Sequence, residues 1–373
     1  MRGAGVLSIT QSDPSTRTFG GNLKFALSFG AMPRAVRTDI VQPDGRHVHL
    51  YGDFTPAPAG YQAPSMPNGV YERRWNPLRR EWVLVAASRQ ARTFLPERAE
   101  CPLCPSQPGH STEIPAATYE AAVFENRFPA MVPWPPAGGS CEVVVYTDEH
   151  EGSFATLPAA RLERLAEVWT DRYRELSARR GIKYVYIFEN RGEQVGVTLH
   201  HPHGQIYAYP FVPPVAASEL ARRTGVCLQC ELVADELKAR RRVLINEGGL
   251  LAYVPAYARW PYEVHVAPRA HRAALPDVSP AGRVALLVAM QRITRAYDRL
   301  FDVPMPYMMA MHQSPAEVSG QAHLHVEFYP ILRERGKLKY LAGSESGAGV
   351  FINDTLAEES ADRLRGVLDQ ARP

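Results

Sequence analysis

The sequence has few cysteines, little net charge and no long apolar run. Its net charge of +3, without a run of basic residues, does not predict a nucleic-acid partner. No apolar run approaches the length of a membrane span, and Lys24 interrupts the one candidate for a signal peptide, Leu23 to Met32. With 373 residues and an ordinary 45% hydrophobic content, the chain is expected to be a globular cytoplasmic enzyme.

The five cysteines are unevenly placed. Four of them form two Cys-x-x-Cys pairs, Cys101 with Cys104 and Cys227 with Cys230. In a reducing compartment such pairs are metal ligands or redox centres more often than structural disulfides. A redox dithiol would not need the histidines that follow each pair at matched spacings, so these spacings favour metal sites.

Two blocks of the chain repeat the same order of parts. Each block has a Cys-x-x-Cys pair, a strand, a histidine at a strand end, a long helix, a strand and a His-x-His strand. The interval from His150 to His201 is 51 positions, and that from His271 to His323 is 52. This internal repeat predicts an α+β fold of two duplicated units. Each unit should supply an antiparallel half-sheet and one long helix, with a pseudo-twofold axis between the units.

The repeat also predicts two metal sites. Tetrahedral zinc commonly takes two cysteines and two histidines. The first block offers Cys101, Cys104, His150 and His201, and the second offers Cys227, Cys230, His271 and His323.

The stretch from His200 to Tyr209 predicts a short strand that begins at a group of histidines. Side chains two apart on a strand face the same side, so His201 and His203 can serve one site, with Gln205 next along that face. Imidazole is a nucleophile at neutral pH, and an amide can hold an oxygen of a group bonded to it. The alternative interpretation is a set of surface histidines near a turn.

Residues 201–205, His-Pro-His-Gly-Gln, resemble the signature of the galactose-1-phosphate uridylyltransferase family of the histidine-triad superfamily. The resemblance spans about residues 71 to 369. It implies two histidine-triad-like halves, a catalytic one at 69–213 and a second at 214–373. Residues 1–68 are then an arm or linker, with a predicted hairpin at 37–51 and no assigned function for 1–31.

The resemblance implies roles for individual residues. Cys101, Cys104, His150 and His201 are its zinc ligands, which leaves His203 free to react. Arg89 and Arg92 would lie near the nucleotide phosphates, and Phe124, Asn126 and Phe128 would line the base and ribose pocket. The remaining substrate contacts are expected from Asn190, Thr198, Lys339 and Glu345, with Gln205 at the phosphoryl oxygens. Because the family's tail often reaches the partner subunit, a homodimer is expected.

A third metal set is also suggested. Some family members hold iron or zinc through a glutamate and three histidines; Glu219, His312 and His325 match three of these positions, and Glu327 stands at the fourth. We do not expect this set to be filled when Cys227 and Cys230 are present. In the second His-x-His strand, Glu327 stands where Gln205 would be, and its carboxylate would repel an incoming phosphate.

The implied reaction is a ping-pong exchange. His203 attacks the α-phosphorus of UDP-glucose, glucose-1-phosphate leaves, and galactose-1-phosphate then takes the uridylyl group. Two alternatives stay open: a related nucleotidyltransferase or phosphorylase acting on ADP-glucose with phosphate, and a non-catalytic zinc-binding module. Ser344 and Phe351 keep the first alternative open because both depart from the family's sugar-binding segment.

Overall fold

The computed structural model describes residues 37–220, 227–318, 320 and 322–368 of the chain. Its strands are β1 (Arg37–Val41), β2 (His47–Pro56), β3 (Tyr71–Asn76), β4 (Glu81–Ala86), β5 (Ala116–Glu125), β6 (Ser140–Val145), β7 (Tyr184–Arg191), β8 (His203–Tyr209), β9 (Val243–Glu247), β10 (Leu250–Tyr253), β11 (Val264–Pro268), β12 (Tyr307–His312), β13 (His325–Pro330), β14 (Leu332–Glu334) and β15 (Lys337–Leu338). Its α-helices are α1 (Ala159–Ala178), α2 (Pro214–Leu220), α3 (Leu228–Ala239), α4 (Pro280–Leu300) and α5 (Ala357–Leu368).

Eleven of these strands form one large antiparallel sheet. Their order is β1-β2-β5-β6-β8-β7-β12-β13-β11-β10-β9. The strands of the first block therefore lie together, as do those of the second, and the two groups join where β7 pairs with β12. The prediction of a fold that combines helices with antiparallel strands is confirmed.

The two long helices α1 and α4 pack against each other and share one hydrophobic core with the sheet. Leu162, Leu165 and Trp169 recur at helical spacing, which predicts an apolar stripe, and in α1 all three are buried in that core. Ser279 followed by Pro280 predicts a helix start, and α4 begins there, with the Ser279 side chain accepting a hydrogen bond from the backbone N–H of Gly282 at 3.2 Å. Among the described residues, no helix has the length and apolar character needed to cross a membrane.

The N-terminal arm contributes more to the fold than predicted. The hairpin predicted at 37–51 forms as β1 and β2, but β2 also pairs with β5 and so extends the main sheet. Val48 and Leu50 are completely buried there, which explains why this segment belongs to the core rather than to a linker. Residues 57–70 have no regular structure, as a linker would, and the predictions for residues 1–31 lie outside the described residues.

A second correction concerns residues 82–85, whose sequence Trp-Val-Leu-Val predicts a buried strand. These residues lie in β4, which among the described residues pairs with β3 alone in a separate two-stranded sheet. Trp82 is 37% exposed and Val83 is 46% exposed. An apolar run shows that a strand is favoured, but it does not show which surface the strand covers.

Candidate active site

The face of the sheet opposite the long helices carries the residues of the candidate site. Along β8, His203, Gln205 and Tyr207 line a cavity, whereas Ile206 and Ala208 belong to the helix-covered core. The strand therefore presents its functional side chains on one face and its anchoring side chains on the other, as the alternation of a strand requires. The cavity has a volume of about 320 Å³.

The orientation of the His203 ring is fixed by the backbone. Its Nδ1 lies 2.7 Å from the carbonyl oxygen of His201, and because a carbonyl can only accept, Nδ1 carries the proton. The lone pair is then on Nε2, the atom that a nucleophilic imidazole uses. Burial lowers the pKa of His203, which keeps the ring in this neutral form.

Gly204 is required by the packing directly behind the strand. A Cβ atom at this position would lie 2.2 Å from the hydroxyl oxygen of Tyr146 and 3.0 Å from the carbonyl oxygen of Phe188. Tyr146 cannot move freely, because its hydroxyl donates to Glu189 at 2.8 Å, and Tyr307 donates to the other oxygen of that carboxylate at 2.8 Å. Burial raises the pKa of Glu189 to about 7.

Replacing Gly204 with alanine should therefore destabilise the protein by about 1–3 kcal/mol, the usual cost of forcing an atom into a packed core. Denaturant unfolding measures this change. The matched control is Gly343→Ala, since a Cβ atom at Gly343 meets nothing within 4 Å and should leave stability nearly unchanged. Equal stability of the two variants would contradict the role given to Tyr146 behind the strand.

The first group of possible metal ligands lies at the start of β8. The ligand atoms of Cys101, Cys104, His150 and His201 all lie within 4.8 Å of one another. The thiol of Cys104 is 3.2 Å from Nδ1 of His150 and 3.6 Å from Nδ1 of His201. Nε2 of His201 donates to the carbonyl of Thr147 at 2.8 Å, so its Nδ1 lone pair faces the two thiols.

This group fits a divalent cation. Burial, with Cys101 beside it, raises the pKa of Cys104 to about 12, and burial lowers the pKa of His201 to about 4. Two thiols and two neutral imidazoles thus converge without a positive charge among them. A cation that favours sulfur and nitrogen ligands would supply that charge and stabilise the thiolates.

The second group repeats this arrangement in the other half of the chain. The ligand atoms of Cys227, Cys230, His271 and His323 also lie within 4.8 Å of one another. Nδ1 of His323 is 3.3 Å from the thiol of Cys230, while its Nε2 donates to the carbonyl of Pro268 at 2.8 Å. Because the protonated nitrogen again points away from the thiols, this group offers the same donor set as the first.

The third group, Glu219, His312, His325 and Glu327, is built differently. Its ligand atoms also lie within 4.8 Å of one another, and the three residues other than Glu219 are buried. Although burial opposes the charged form, Glu327 and Glu219 raise the pKa of His325 to about 9. The positive charge of His325 is therefore compensated by carboxylates within the group, unlike in the two cysteine-containing groups.

Part of the cavity lining is suited to phosphate. These residues are Arg89, Arg92, Asn190, Thr198, His203 and Gln205. The Arg89 guanidinium donates to the carbonyl oxygen of Phe128 at 2.8 Å. Among the described residues, Arg89 and Arg92 have no carboxylate partner, so their charges are available to an anion.

Another part of the cavity lining is apolar and aromatic. Phe124 lies opposite Val143 on β6, and Val143 lies opposite Gln205 on β8, so these three residues form one row across the sheet. Strands are spaced about 4.8 Å apart, which places Phe124 about 10 Å from Gln205. Asn126 and Phe128 follow β5 and also line the cavity, with the Asn126 side chain accepting from the backbone N–H of Phe128 at 2.8 Å.

Two charged residues of the cavity wall were not predicted from the sequence. Glu113 and Arg127 both line the cavity. Arg127 stands directly between Asn126 and Phe128, and that position was the available signal. Glu113 gave no comparable signal, because a lone glutamate in a loop is usually solvent-exposed.

The predicted sugar-binding residues of the tail lie elsewhere. Lys339 and Glu345 do not line the cavity of their own chain but form a buried ion pair of 3.1 Å with each other. The Lys339 ammonium also donates to the carbonyl of Ile352, and the backbone N–H of Ala342 donates to Glu345 at 3.1 Å. These two side chains therefore fold the tail onto itself, and their expected contact with the substrate stays a prediction.

Comparisons with known proteins agree with these features. A family model described as galactose-1-phosphate uridyl transferase, N-terminal domain, matches residues 131–213, and its C-terminal counterpart matches residues 216–372. The galactose-1-phosphate uridylyltransferase of Thermotoga maritima is 39% identical over 319 residues, covering 79% of this chain and 98% of the relative. The one from Streptomyces lividans is 36% identical over 316 residues, covering 80% and 87%. A solved uridylyltransferase structure superposes with a TM-score of 0.74 at 32% identity, covering 82% of this chain and 100% of that one.

Proposed function

Because the chain belongs to the galactose-1-phosphate uridylyltransferase family, we propose that it exchanges a uridylyl group between UDP-glucose and galactose-1-phosphate. The observation that carries this proposal is the fixed tautomer of His203. Its protonated Nδ1 is held at 2.7 Å by the His201 carbonyl, and the opposite nitrogen is left for the substrate.

The reaction proceeds in two displacements, each of which forms one bond to the α-phosphorus and breaks another. Nε2 of His203 forms a bond to the α-phosphorus of UDP-glucose while the bond from that phosphorus to the leaving oxygen breaks, and glucose-1-phosphate departs. A phosphate oxygen of galactose-1-phosphate then attacks the same phosphorus, and the bond to Nε2 breaks to release UDP-galactose. The His201 carbonyl, which accepts from Nδ1–H, stabilises the positive charge that the ring carries between the two steps.

The cavity supports this assignment of substrate parts. Arg89, Arg92, Thr198 and Asn190 would bind the phosphates, and the amide of Gln205 would donate to a phosphoryl oxygen as charge develops on it. Phe124, Asn126 and Phe128 would enclose the uracil and ribose. The aromatic residues match the base of a nucleotide, and the arginines beside them match its phosphates.

The cysteine-containing groups would hold zinc. Cys101, Cys104, His150 and His201 are proposed as ligands at the first site, and Cys227, Cys230, His271 and His323 at the second. Zinc at such closed four-ligand sites supplies folding energy rather than a reacting group. In the first site His201 would be fixed on one side by the metal and on the other by Thr147, and its carbonyl would in turn orient His203.

Elemental analysis should find about two zinc ions per chain. Cys230→Ser should lower this value to about one, because a hydroxyl is a weak substitute for a thiolate ligand. The matched control is Cys141→Ser, since Cys141 is buried outside both groups and should leave the zinc content at two. A wild-type value of one or less would contradict the second site, and a value of three would indicate that Glu219, His312, His325 and Glu327 also bind metal.

The strand order supports the proposed duplication. Read outward from the junction, the first half runs β7, β8, β6, β5 and the second runs β12, β13, β11, β10. A pseudo-twofold axis between β7 and β12 would relate residues 69–213 to residues 214–373. Nδ1 of His325 donates to the carbonyl of His323 at 2.8 Å, as Nδ1 of His203 does to the carbonyl of His201 in the first half. The carboxylate of Glu327, which lies beside His325, makes the second copy unsuited to phosphate.

The tail and the overall charge support the remaining parts of the proposal. Since Lys339 and Glu345 do not line the cavity of their own chain, they would act on the active site of a second chain in a homodimer. The small net charge gives no reason to expect nucleic acid as a partner, and the composition favours a cytoplasmic location.

Labelling tests the proposed function directly. Incubation with UDP-glucose labelled in the α-phosphate should give an acid-labile labelled protein, and galactose-1-phosphate should release the label as UDP-galactose. Labelling from ADP-glucose alone, with release by inorganic phosphate, would replace this proposal with the related phosphorylase activity. An unlabelled protein under both conditions would refute both activities.

A further inference from the structure

A single tyrosine contacts the main chain on both sides of the proposed nucleophile. The backbone N–H of Tyr146 donates to the carbonyl of Pro202 at 3.2 Å, one residue before His203. Its hydroxyl lies against Gly204, one residue after His203, where a Cβ atom would meet the hydroxyl oxygen at 2.2 Å. Tyr146 is buried and does not line the cavity, so any part that it takes in the reaction is indirect.

The side chain of Tyr146 is itself held in place. Its ring packs edge-on against Phe154 and Trp169, with centroid distances of 6.1 and 6.3 Å. Trp169 belongs to α1, so the ring rests on one of the two long helices. The hydroxyl donates to a carboxylate oxygen of Glu189 at 2.8 Å. A phenol that is fixed at its ring, its hydroxyl and its backbone N–H is a rigid support for the strand in front of it.

Glu189 is the buried carboxylate that fixes the hydroxyl. It lies on β7, the neighbour of β8 in the sheet, and is only 5% exposed. Each of its oxygens accepts from one tyrosine, Tyr146 of the first half and Tyr307 on β12, both at 2.8 Å. In its ionised form Glu189 binds these hydroxyls more strongly than a neutral acceptor would. The position of Tyr146 is therefore tied to the junction between the two halves of the sheet.

The second copy of the His-x-His strand has a side chain where this contact needs a glycine. Val326 follows His325 as Gly204 follows His203, and the Val326 side chain is buried in the core that both halves share. The second copy is not proposed to react, because Glu327 makes it unsuited to phosphate. The glycine that lets a hydroxyl approach the strand thus belongs to the copy proposed to carry the nucleophile.

We propose that Tyr146, with its hydroxyl held by Glu189, is a positioning residue of the transfer step: it fixes the main chain at Pro202 and Gly204 and thereby the direction of the His203 ring. This inference rests on the proposed function, since it names the step that depends on the support. Nε2 must approach the α-phosphorus in line with the leaving oxygen, and an error of about 1 Å in such a placement can cost about 100-fold in rate. Loss of the hydroxyl alone leaves the ring and the contact with Pro202, so we expect a part of this effect.

Two matched variants separate positioning from packing. Tyr146→Phe and Tyr307→Phe each remove one buried hydroxyl and one hydrogen bond to Glu189, so they should lower the midpoint of thermal unfolding to a similar extent. The hydroxyl of Tyr146 is the one that lies against Gly204. We expect Tyr146→Phe to lower kcat for uridylyl transfer about 10-fold and to change KM for UDP-glucose less than about 2-fold, whereas Tyr307→Phe should lower kcat less than about 2-fold.

The fixed orientation of the His203 ring can be measured without substrate. Its Nδ1–H donates to the His201 carbonyl at 2.7 Å, so in protein labelled with ¹⁵N-histidine it should give a resonance protected from exchange with water. The variant His203→Ala identifies this resonance. We expect the protection to persist in Tyr307→Phe and to be lost in Tyr146→Phe.

A double variant tests the contact between the hydroxyl and the strand. In Tyr146→Phe combined with Gly204→Ala, the added methyl group takes the space that the hydroxyl leaves. The kcat of the double variant should therefore exceed the product of the two single effects by at least about 3-fold.

Three results would each overturn the inference: equal kcat values in the two phenylalanine variants, a protected Nδ1–H resonance in Tyr146→Phe, or additive effects in the double variant. If the wild-type protein is not labelled by UDP-glucose but only Tyr146→Phe loses the protected resonance, the proposed function is wrong and the support of His203 by Tyr146 stands. If the wild-type protein is labelled and the two phenylalanine variants agree in kcat and in the resonance, the proposed function stands and this inference fails.

Discussion

His203→Ala should lower uridylyl transfer by about 10⁴-fold or more and should abolish labelling of the protein from UDP-glucose. The variant removes the only atom to which the α-phosphorus can be bonded in the proposed sequence, and losing the nucleophile of a covalent mechanism has an effect of this size. Steady-state exchange and acid-labile label per chain measure the two effects. The cavity wall loses one ring in this variant, but Gln205 and the arginines suited to phosphate stay in place.

His200→Ala is the matched control for this experiment. His200 precedes the motif by one residue, and its side chain is 58% exposed and 3.5 Å from Glu193. Its loss should change transfer less than about 3-fold, while thermal unfolding should show that both variants are folded. Full labelling of folded His203→Ala would remove His203 from the reaction and would leave the uridylylated residue to be sought elsewhere in the cavity.

The parts of the site that could be predicted lie close together in sequence or repeat along it. The alternation of His203 and Gln205 needs only the geometry of one strand, and the structure places both on the cavity face. The predicted strand began too early, because β8 starts at His203 and His201 precedes it. The two cysteine–histidine groups could be predicted because their spacings repeat, although each depends on segments that are far apart in the chain. A repeated spacing carries information on tertiary structure that a single motif does not.

The parts that could not be predicted depend on contacts between segments without such a repeat. The strand β2 of the N-terminal hairpin pairs with β5. Glu113 lies between Arg46 of the same hairpin and Arg127 of the cavity wall, and forms an ion pair with each. Neither leaves a periodic or motif signal, because a single buried ion pair requires only one residue of each sign. The pairing within the tail could not be predicted for a related reason: Lys339 and Glu345 are suited to a sugar phosphate, and the same charges also pair with each other.

The first metal site links stability to catalysis. Cys104→Ser should remove about one zinc ion per chain and lower uridylyl transfer about 10- to 100-fold, a range typical of losing the support of a positioned ligand. The physical reason is the path from the metal group to the nucleophile. Without the metal, His201 loses one of its two fixed contacts, and the carbonyl that holds Nδ1 of His203 becomes less well placed. Elemental analysis and steady-state exchange measure the two changes on the same preparation.

Cys227→Ser is the matched variant that tests whether the loss of activity belongs to the first metal site alone. It should also remove about one zinc ion, but from the group that supports β13, whose His325 is paired with carboxylates and takes no part in transfer. We therefore expect the two variants to lose equal amounts of zinc and to differ at least about 5-fold in transfer rate. If both lose activity to the same extent, the metal groups act only through the stability of the whole sheet. If Cys104→Ser loses zinc and keeps full activity, the His201 carbonyl orients His203 without help from the metal group.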